Sequence, residues 1–251
     1  MGIIDERSTS GRSLRYAGFM GLFDAIGLTK KITRPRLEAF LKKYRSTGKT
    51  LDVGCGSALY GNFFPNRTTL DIEVRPGVQV DIVGDAHDLK QIADAVYENI
   101  LCTEVLEHLH TPAKAIAEFH RVLKPGGMLI LTTRFIFPLH DAPGDYFRYT
   151  KYGLRHLMKD FDIIELKEEA NTIETLAVLY QRIGFQCDTL GFRPLKFFWF
   201  LKARILMLFA WTLTKEFGDI RHKQQEKNIL SSGYYVAARK GIRVRMIVFP
   251  V

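Results

Sequence analysis

The chain has 251 residues, 47% apolar and 25% charged, with a net charge of +9. That is enough for one large core or two small ones, and it excludes disorder over most of the length. The three cysteines, Cys55, Cys102 and Cys187, are odd in number and far apart, which argues against a disulfide framework or a cysteine metal site and for a reducing, cytoplasmic setting.

The opening "MGIIDERSTSGRS" is polar and lacks the apolar centre of a signal peptide. "RPRLEAFLKKY" places Leu37, Phe40, Leu41 and Tyr44 at helical spacing, and Gly48 closes that helix. "KTLDVG" is a buried strand; "RTTLDIE" and "VDIVGD" are two more, each ending in acid. "LKQIADAV" is expected to form a short helix, and "YENILCTEV" another apolar strand. "TPAKAIAEFHRVLKPGG" is a helix capped by Thr111, started by Pro112 and stopped by Pro125-Gly126-Gly127. "MLILTT" is a buried strand, "TKYGLRHLMKD" a helix capped by Thr150, and "FDIIELKEEA" a strand. Residues 171–232 read as helices, after which "GYYVAARK" returns to strand character.

Alternating strands and helices mean a doubly wound, mostly parallel α/β sheet whose ligands bind at the strand C-terminal edge. The expected organisation is one domain: a helical segment over 1–48, a cofactor-binding core over 49–170, a helical insertion over 171–232, and a final strand and tail over 233–251.

The chemistry gathers at strand ends. In "LDVGCGSALYG" Gly54 and Gly56 let backbone approach a ligand, but the third glycine of a dinucleotide fingerprint is missing. Asp52 would repel a pyrophosphate and suits a cation, which disfavours a nicotinamide dehydrogenase. Asp71 can accept ribose hydroxyls, with Glu73 a competitor, and Asp85 beside Ala86 can accept from an adenine amino group. A ribose, a base and a positive end describe S-adenosylmethionine better than NAD.

These motifs, with "ILCTEVLEHLHTPAKAIAEFHRVLKPGGMLILTT" and "PLHDAPGDYFRYTKYGL", resemble those of a class I S-adenosylmethionine-dependent methyltransferase of the type 11 kind. The resemblance covers roughly residues 50–167, with "GYYVAARK" as the final antiparallel strand of a seven-stranded Rossmann-like sheet. It implies that Asp52, Gly54 and Gly56 meet the methionine end of the cofactor, Asp71 the ribose, and Asp85 and Ala86 the adenine. Cys102, Thr103 and Glu104 would line the cofactor, and Cys55 and Ile72 complete the candidate set. Cys55 is read as a small loop residue rather than a nucleophile.

"HDAPGDYFRYT" overhangs the sheet edge and supplies His140 as candidate base, with Tyr146 and Arg148 as candidate catalytic or substrate contacts. The plainer alternative is that His140 and Asp145 bond each other or the loop. His108 and His110 lack a third ligand in the sequence, so no metal is expected.

Between Lys196 and Thr214 apolar and basic residues mix, with Phe197, Phe200, Leu201, Ile205, Leu208 and Phe209 near one helical face. A cap over the site or a dimer interface is preferred; an interfacial helix turning Lys196, Lys202 and Arg204 to anionic lipid at the inner membrane surface is the alternative. The acceptor is expected to be a small or lipid-linked molecule with an oxygen or nitrogen nucleophile. A non-catalytic cofactor-binding protein is the rival reading. An RNA methyltransferase ranks lower, since no aromatic-basic RNA module is present.

Overall fold

The computed structural model describes residues 27–242 except 58, 75, 192 and 214. The first part of the expected N-terminal segment and the tail after residue 242 lie outside the described residues.

Helix α1 (Arg34–Lys43) precedes strands β1 (Thr50–Val53), β2 (Arg67–Asp71), β3 (Ile82–Val83) and β4 (Tyr97–Thr103). Helix α2 (Pro112–Val122), β5 (Leu123–Arg134), α3 (Lys151–Leu157) and β6 (Phe161–Glu168) follow, then α4 (Thr172–Thr189), α5 (Arg193–Leu208), β7 (Glu216–Asp219), β8 (Gln224–Glu226) and β9 (Gly233–Lys240). The main sheet has seven strands in the order β3-β2-β1-β4-β5-β9-β6. Strands β1 to β5 pair in parallel, and β9 runs antiparallel between β5 and β6, as the sequence predicts.

Chain order reverses beside β1, which pairs with β2 on one side and β4 on the other. Val53 is level with both Leu70 and Cys102, so the strand ends open one crevice. Strand side chains alternate between two cores, as a period of two requires. Ile100, Cys102, Leu129, Leu131 and Val236 face α2 and α3 through Ile116, Phe119, Leu154 and Met158. Leu101, Ile130, Tyr235 and Ala237 face α1 through Leu37, Phe40 and Leu41. Phe119 and Leu41 are fully buried, and each contributes roughly 1.5–3 kcal/mol by leaving water.

Several local expectations change. Helix α1 ends at Lys43, with Tyr44 capping it, well before Gly48. Residues 89–96 form turns and irregular chain, not a helix. Neighbours take the backbone groups a helix would use: Glu118 accepts from the Leu89 N–H, and Arg121 donates to the carbonyls of Leu89 and Ile92. Thr111 makes no side-chain cap; its Oγ1 lies 2.8 Å from His110 Nδ1, and its N–H donates to His87 Nε2. The Pro-Gly-Gly run does not separate helix from strand, since β5 already starts at Leu123. Thr150 does cap α3, accepting from the Gly153 N–H at 3.0 Å. The helical reading of 171–232 holds for α4 and α5 only. The polar stretch after them, without a helical apolar period, pairs β7 with β8 as an antiparallel hairpin.

Candidate active site

The loops at the C-terminal edge of β1 to β5 enclose a cavity of about 520 Å³. Gly54, Gly56, Asp71, Ile72, Asp85, Ala86 and Glu104 line it, together with His87, His108, His110 and Tyr146. Gly54 (φ +63°) and Gly56 (φ +52°) take left-handed conformations. A Cβ at Gly54 would collide with Val105 Cγ2, so the turn holds its shape only with glycine there.

Asp71 is buried beneath that turn. Its Oδ2 accepts from the Gly56 N–H at 3.0 Å and its Oδ1 from the Ile72 N–H at 2.8 Å. Oδ2 also lies 3.9 Å from the Cys55 thiol, so Oδ1, with one of its two lone pairs in use, retains capacity for a ligand hydroxyl. Glu73 is exposed and does not line the cavity. Asp85 accepts from the His87 backbone N–H at 2.8 Å and lies 2.5 Å from His87 Nδ1. Partial burial works against its ionisation, but the His87 bonds win and hold its carboxyl below the usual range.

Asp52, Cys55 and Thr103 are not among the lining residues. Asp52 sits behind the turn, 3.8 Å from Arg67 Nε, and burial pushes its pKa up to about 6 against the pull of that guanidinium. The Cys55 thiol is pushed up to about 11 by burial and by Asp52 and Asp71, so it is no thiolate at neutral pH.

A second cavity of about 220 Å³ adjoins the first, sharing Glu104 and Asp141 as lining residues. Lys31, Arg134, Phe137, His140, Arg182 and Phe185 surround it. His140 therefore faces this side chamber rather than the main cavity. Its Nδ1 lies 3.2 Å from Asp145 Oδ2 and 3.3 Å from the Pro138 carbonyl, which makes Nδ1 the donor and leaves Nε2 with the lone pair. Burial lowers its pKa below the ordinary histidine value, against the opposing pull of Asp145.

Arg148 reaches neither cavity. It grips Asp145 with two bonds of 2.5 Å and donates to the carbonyls of Phe137, Phe147 and Pro138. That latch, with Asp145 accepting from the His140 N–H at 3.0 Å, fixes the loop that carries His140.

Burial works against ionisation of Glu104, but Arg134 outweighs it and holds the carboxyl below its usual range. Arg134 is itself buried, bonded to Glu104 through Nη2 and to Glu169 through Nη1 at 2.8 Å. Glu169 also accepts from Ser232 and Tyr235. Arg134, Glu169, Phe137 and Arg182 carry no local sequence pattern that marks them as site residues. The two histidines of "LEHLH" part company. His110 groups with Asp85 and His87, and His108 with Glu107 and His140, one ligand atom from each residue lying within 4.8 Å of the others.

Residues 51–131 match the family model for a methyltransferase domain. A ubiquinone biosynthesis O-methyltransferase of Pseudomonas paraeruginosa is 33% identical over 103 residues, 34% of this chain and 44% of that protein. The Xylella fastidiosa protein of the same name is 30% identical over 115 residues, 39% of this chain and 47% of its own. The chain thus spans about half the length of the curated relatives it matches. Among solved structures, the [4+2]-cyclase SpnF has a TM-score of 0.51 at 19% identity, covering 82% of this chain and 80% of its own. Phospholethanolamine N-methyltransferase 2 of Haemonchus contortus, solved with phosphomonomethylethanolamine and S-adenosylhomocysteine, has a TM-score of 0.50 at 14% identity, covering 82% of this chain and 53% of its own. At such identities these two show the fold. The strand order, the glycine turn and the family match over the same strands make the core of this chain similar to methyltransferase domains.

Proposed function

We propose that the protein transfers the methyl group of S-adenosylmethionine to an oxygen or nitrogen of a small or lipid-linked acceptor. The observation that carries this reading is the pair of adjoining cavities. One is a glycine-turned chamber of cofactor chemistry, and the other, sharing Glu104 and Asp141 with it, is a side chamber that holds His140. The residues present fit the cofactor: a turn that two left-handed glycines bring to the cavity wall, Asp71 for the ribose, and Asp85 with Ala86 for the adenine. Asp52 acts from behind the turn as a compensating charge for the cationic end, rather than as a direct contact.

S-adenosylmethionine supplies a methyl group already activated on a sulfonium. The chain's task is then alignment, which can lower a barrier by roughly 7–11 kcal/mol. His140 Nε2 would take the proton of the acceptor hydroxyl or amine, while Asp145 holds the ring through Nδ1. Tyr146, half-exposed at the mouth of the main cavity, would close over the bound cofactor.

The ubiquinone relatives and the exposed apolar stripe of α5 both favour an acceptor drawn from a membrane surface. Helix α4 contributes Val178, Gln181, Arg182 and Phe185 to the side chamber and packs along α5. A lipid-linked acceptor would thus enter beside the helix pair.

Incubation with methyl-tritiated S-adenosylmethionine and separated polar and lipid extracts tests the reading. Label should pass to an extracted acceptor. Cofactor binding with no label in any fraction would favour the rival reading, a binding protein or an enzyme of other chemistry on this fold, as in the cyclase SpnF.

A further inference from the structure

Arg182 of α4 is half-buried in the wall of the side chamber. Among the described residues it has neither an ion pair nor a hydrogen bond; its guanidinium lies 4.9 Å from the centre of the Phe137 ring. A second guanidinium, that of Arg134, lies over the same ring at 4.3 Å. Arg134 is 6% exposed, and its Nε is buried without a hydrogen-bond partner. Its two Nη groups bond Glu104 and Glu169, so Nε is the nitrogen left without a partner.

Two like charges share one ring, and a buried donor stands open. Leaving such a donor unmade costs free energy, and so does holding a half-buried cation without a counter-charge. The acids of the chamber do not answer either need. Glu104 is engaged by Arg134, and Asp141 is exposed, where water weakens its pull. Burial, and after it the charge of Arg134, press the Arg182 pKa down, the direction expected of a cation short of partners. Lys31 adds a third positive group at the exposed rim.

We infer that the acceptor carries an anionic oxygen group, a phosphate or a carboxylate, which docks in the side chamber against Arg182, with the buried Arg134 guanidinium behind it and Lys31 at the rim. This rests on the methyl-transfer reading and names the acceptor class for the same site. A planar guanidinium suits both groups, since it can offer two parallel N–H donors to one anion. Phe137 and Phe185 provide an apolar wall for the body of the acceptor. The anion's charge also complements the sulfonium in the adjoining chamber.

The test uses the full chain saturated with S-adenosylhomocysteine and three probes: phenyl phosphate, benzoate and neutral benzyl alcohol. Binding is followed by calorimetry or ligand-observed NMR. One or both anions should bind at least about tenfold more tightly than benzyl alcohol, as expected for charge-assisted bonds. The tighter of the two names the group. Arg182→Ala should remove that advantage while leaving S-adenosylhomocysteine affinity within about twofold, and Arg182→Lys should restore part of it. Two results would overturn the inference: anions binding no better than benzyl alcohol, or Arg182→Ala leaving the anion affinity unchanged. S-adenosylhomocysteine binding is measured first in the same samples. Its absence strikes the methyl-transfer reading, and the probe titrations, repeated without it, still report on the chamber.

Discussion

At Asp71 both carboxylate oxygens already accept backbone N–H groups, so the residue shapes the glycine turn as well as lining the cavity. Such a residue is legible in sequence, because an acid at the end of a strand in a parallel sheet has only the ligand edge to face. Asp85 and Ala86 were legible for the same reason. Asp52 was placed on the correct turn, but the direction of its side chain depends on Arg67, fifteen residues on, which no local pattern discloses. Arg134 and Arg182 were missed because their meeting over Phe137 is purely tertiary. His140 carries a pH prediction. Its pKa lies below the ordinary 6.5, so the neutral, proton-accepting ring prevails above that value. If it is the base, kcat/KM should be flat from about pH 6.5 to 8 and fall as pH drops through the lowered pKa. His140→Ala should cost on the order of 10²-fold and abolish that acidic limb. A profile unchanged in the variant would assign His140 to the loop alone.

The helix pair α4–α5 shows what periodicity can and cannot tell. Its existence was plain from the apolar spacing, but its facing was not. Phe200 is fully buried, packing against Phe185, while Phe198, Leu201, Ile205 and Leu208 form the exposed stripe, continued by Phe209 and Trp211. Of the three basic residues expected to meet lipid, Lys196 is buried and Arg204 donates to the carbonyls of Gly27, Leu28 and Lys30. Lys202 alone of the three stands exposed, beside Tyr180, Phe198 and Trp199. The helix therefore packs on α4, which walls the side chamber, and still offers an apolar face outward. None of the described helices is long and apolar enough to cross a membrane. The face suits shallow insertion at a headgroup surface. The protein should float with phosphatidylglycerol vesicles at low salt, and Leu201→Glu with Ile205→Glu should abolish flotation. Failure of the unaltered protein to float would leave the stripe to a second copy or another partner.

Across the whole molecule, the doubly wound, mostly parallel sheet was readable because alternating strands and helices admit few right-handed arrangements. Residues 89–96 and the β7–β8 hairpin were not, since side chains from elsewhere or a short polar pairing decide them. The central claim is that this sheet edge binds S-adenosylmethionine. Calorimetry on the purified chain tests it most directly. The expected result is one molecule of S-adenosylmethionine or S-adenosylhomocysteine bound per chain, no comparable binding of NAD, and affinity reduced about tenfold or more in Asp71→Ala and in Asp85→Ala, each confirmed folded by circular dichroism. Loss of one to three hydrogen bonds to a ligand implies an effect of that size. No binding of either sulfur nucleoside by the folded, unaltered protein would contradict the account.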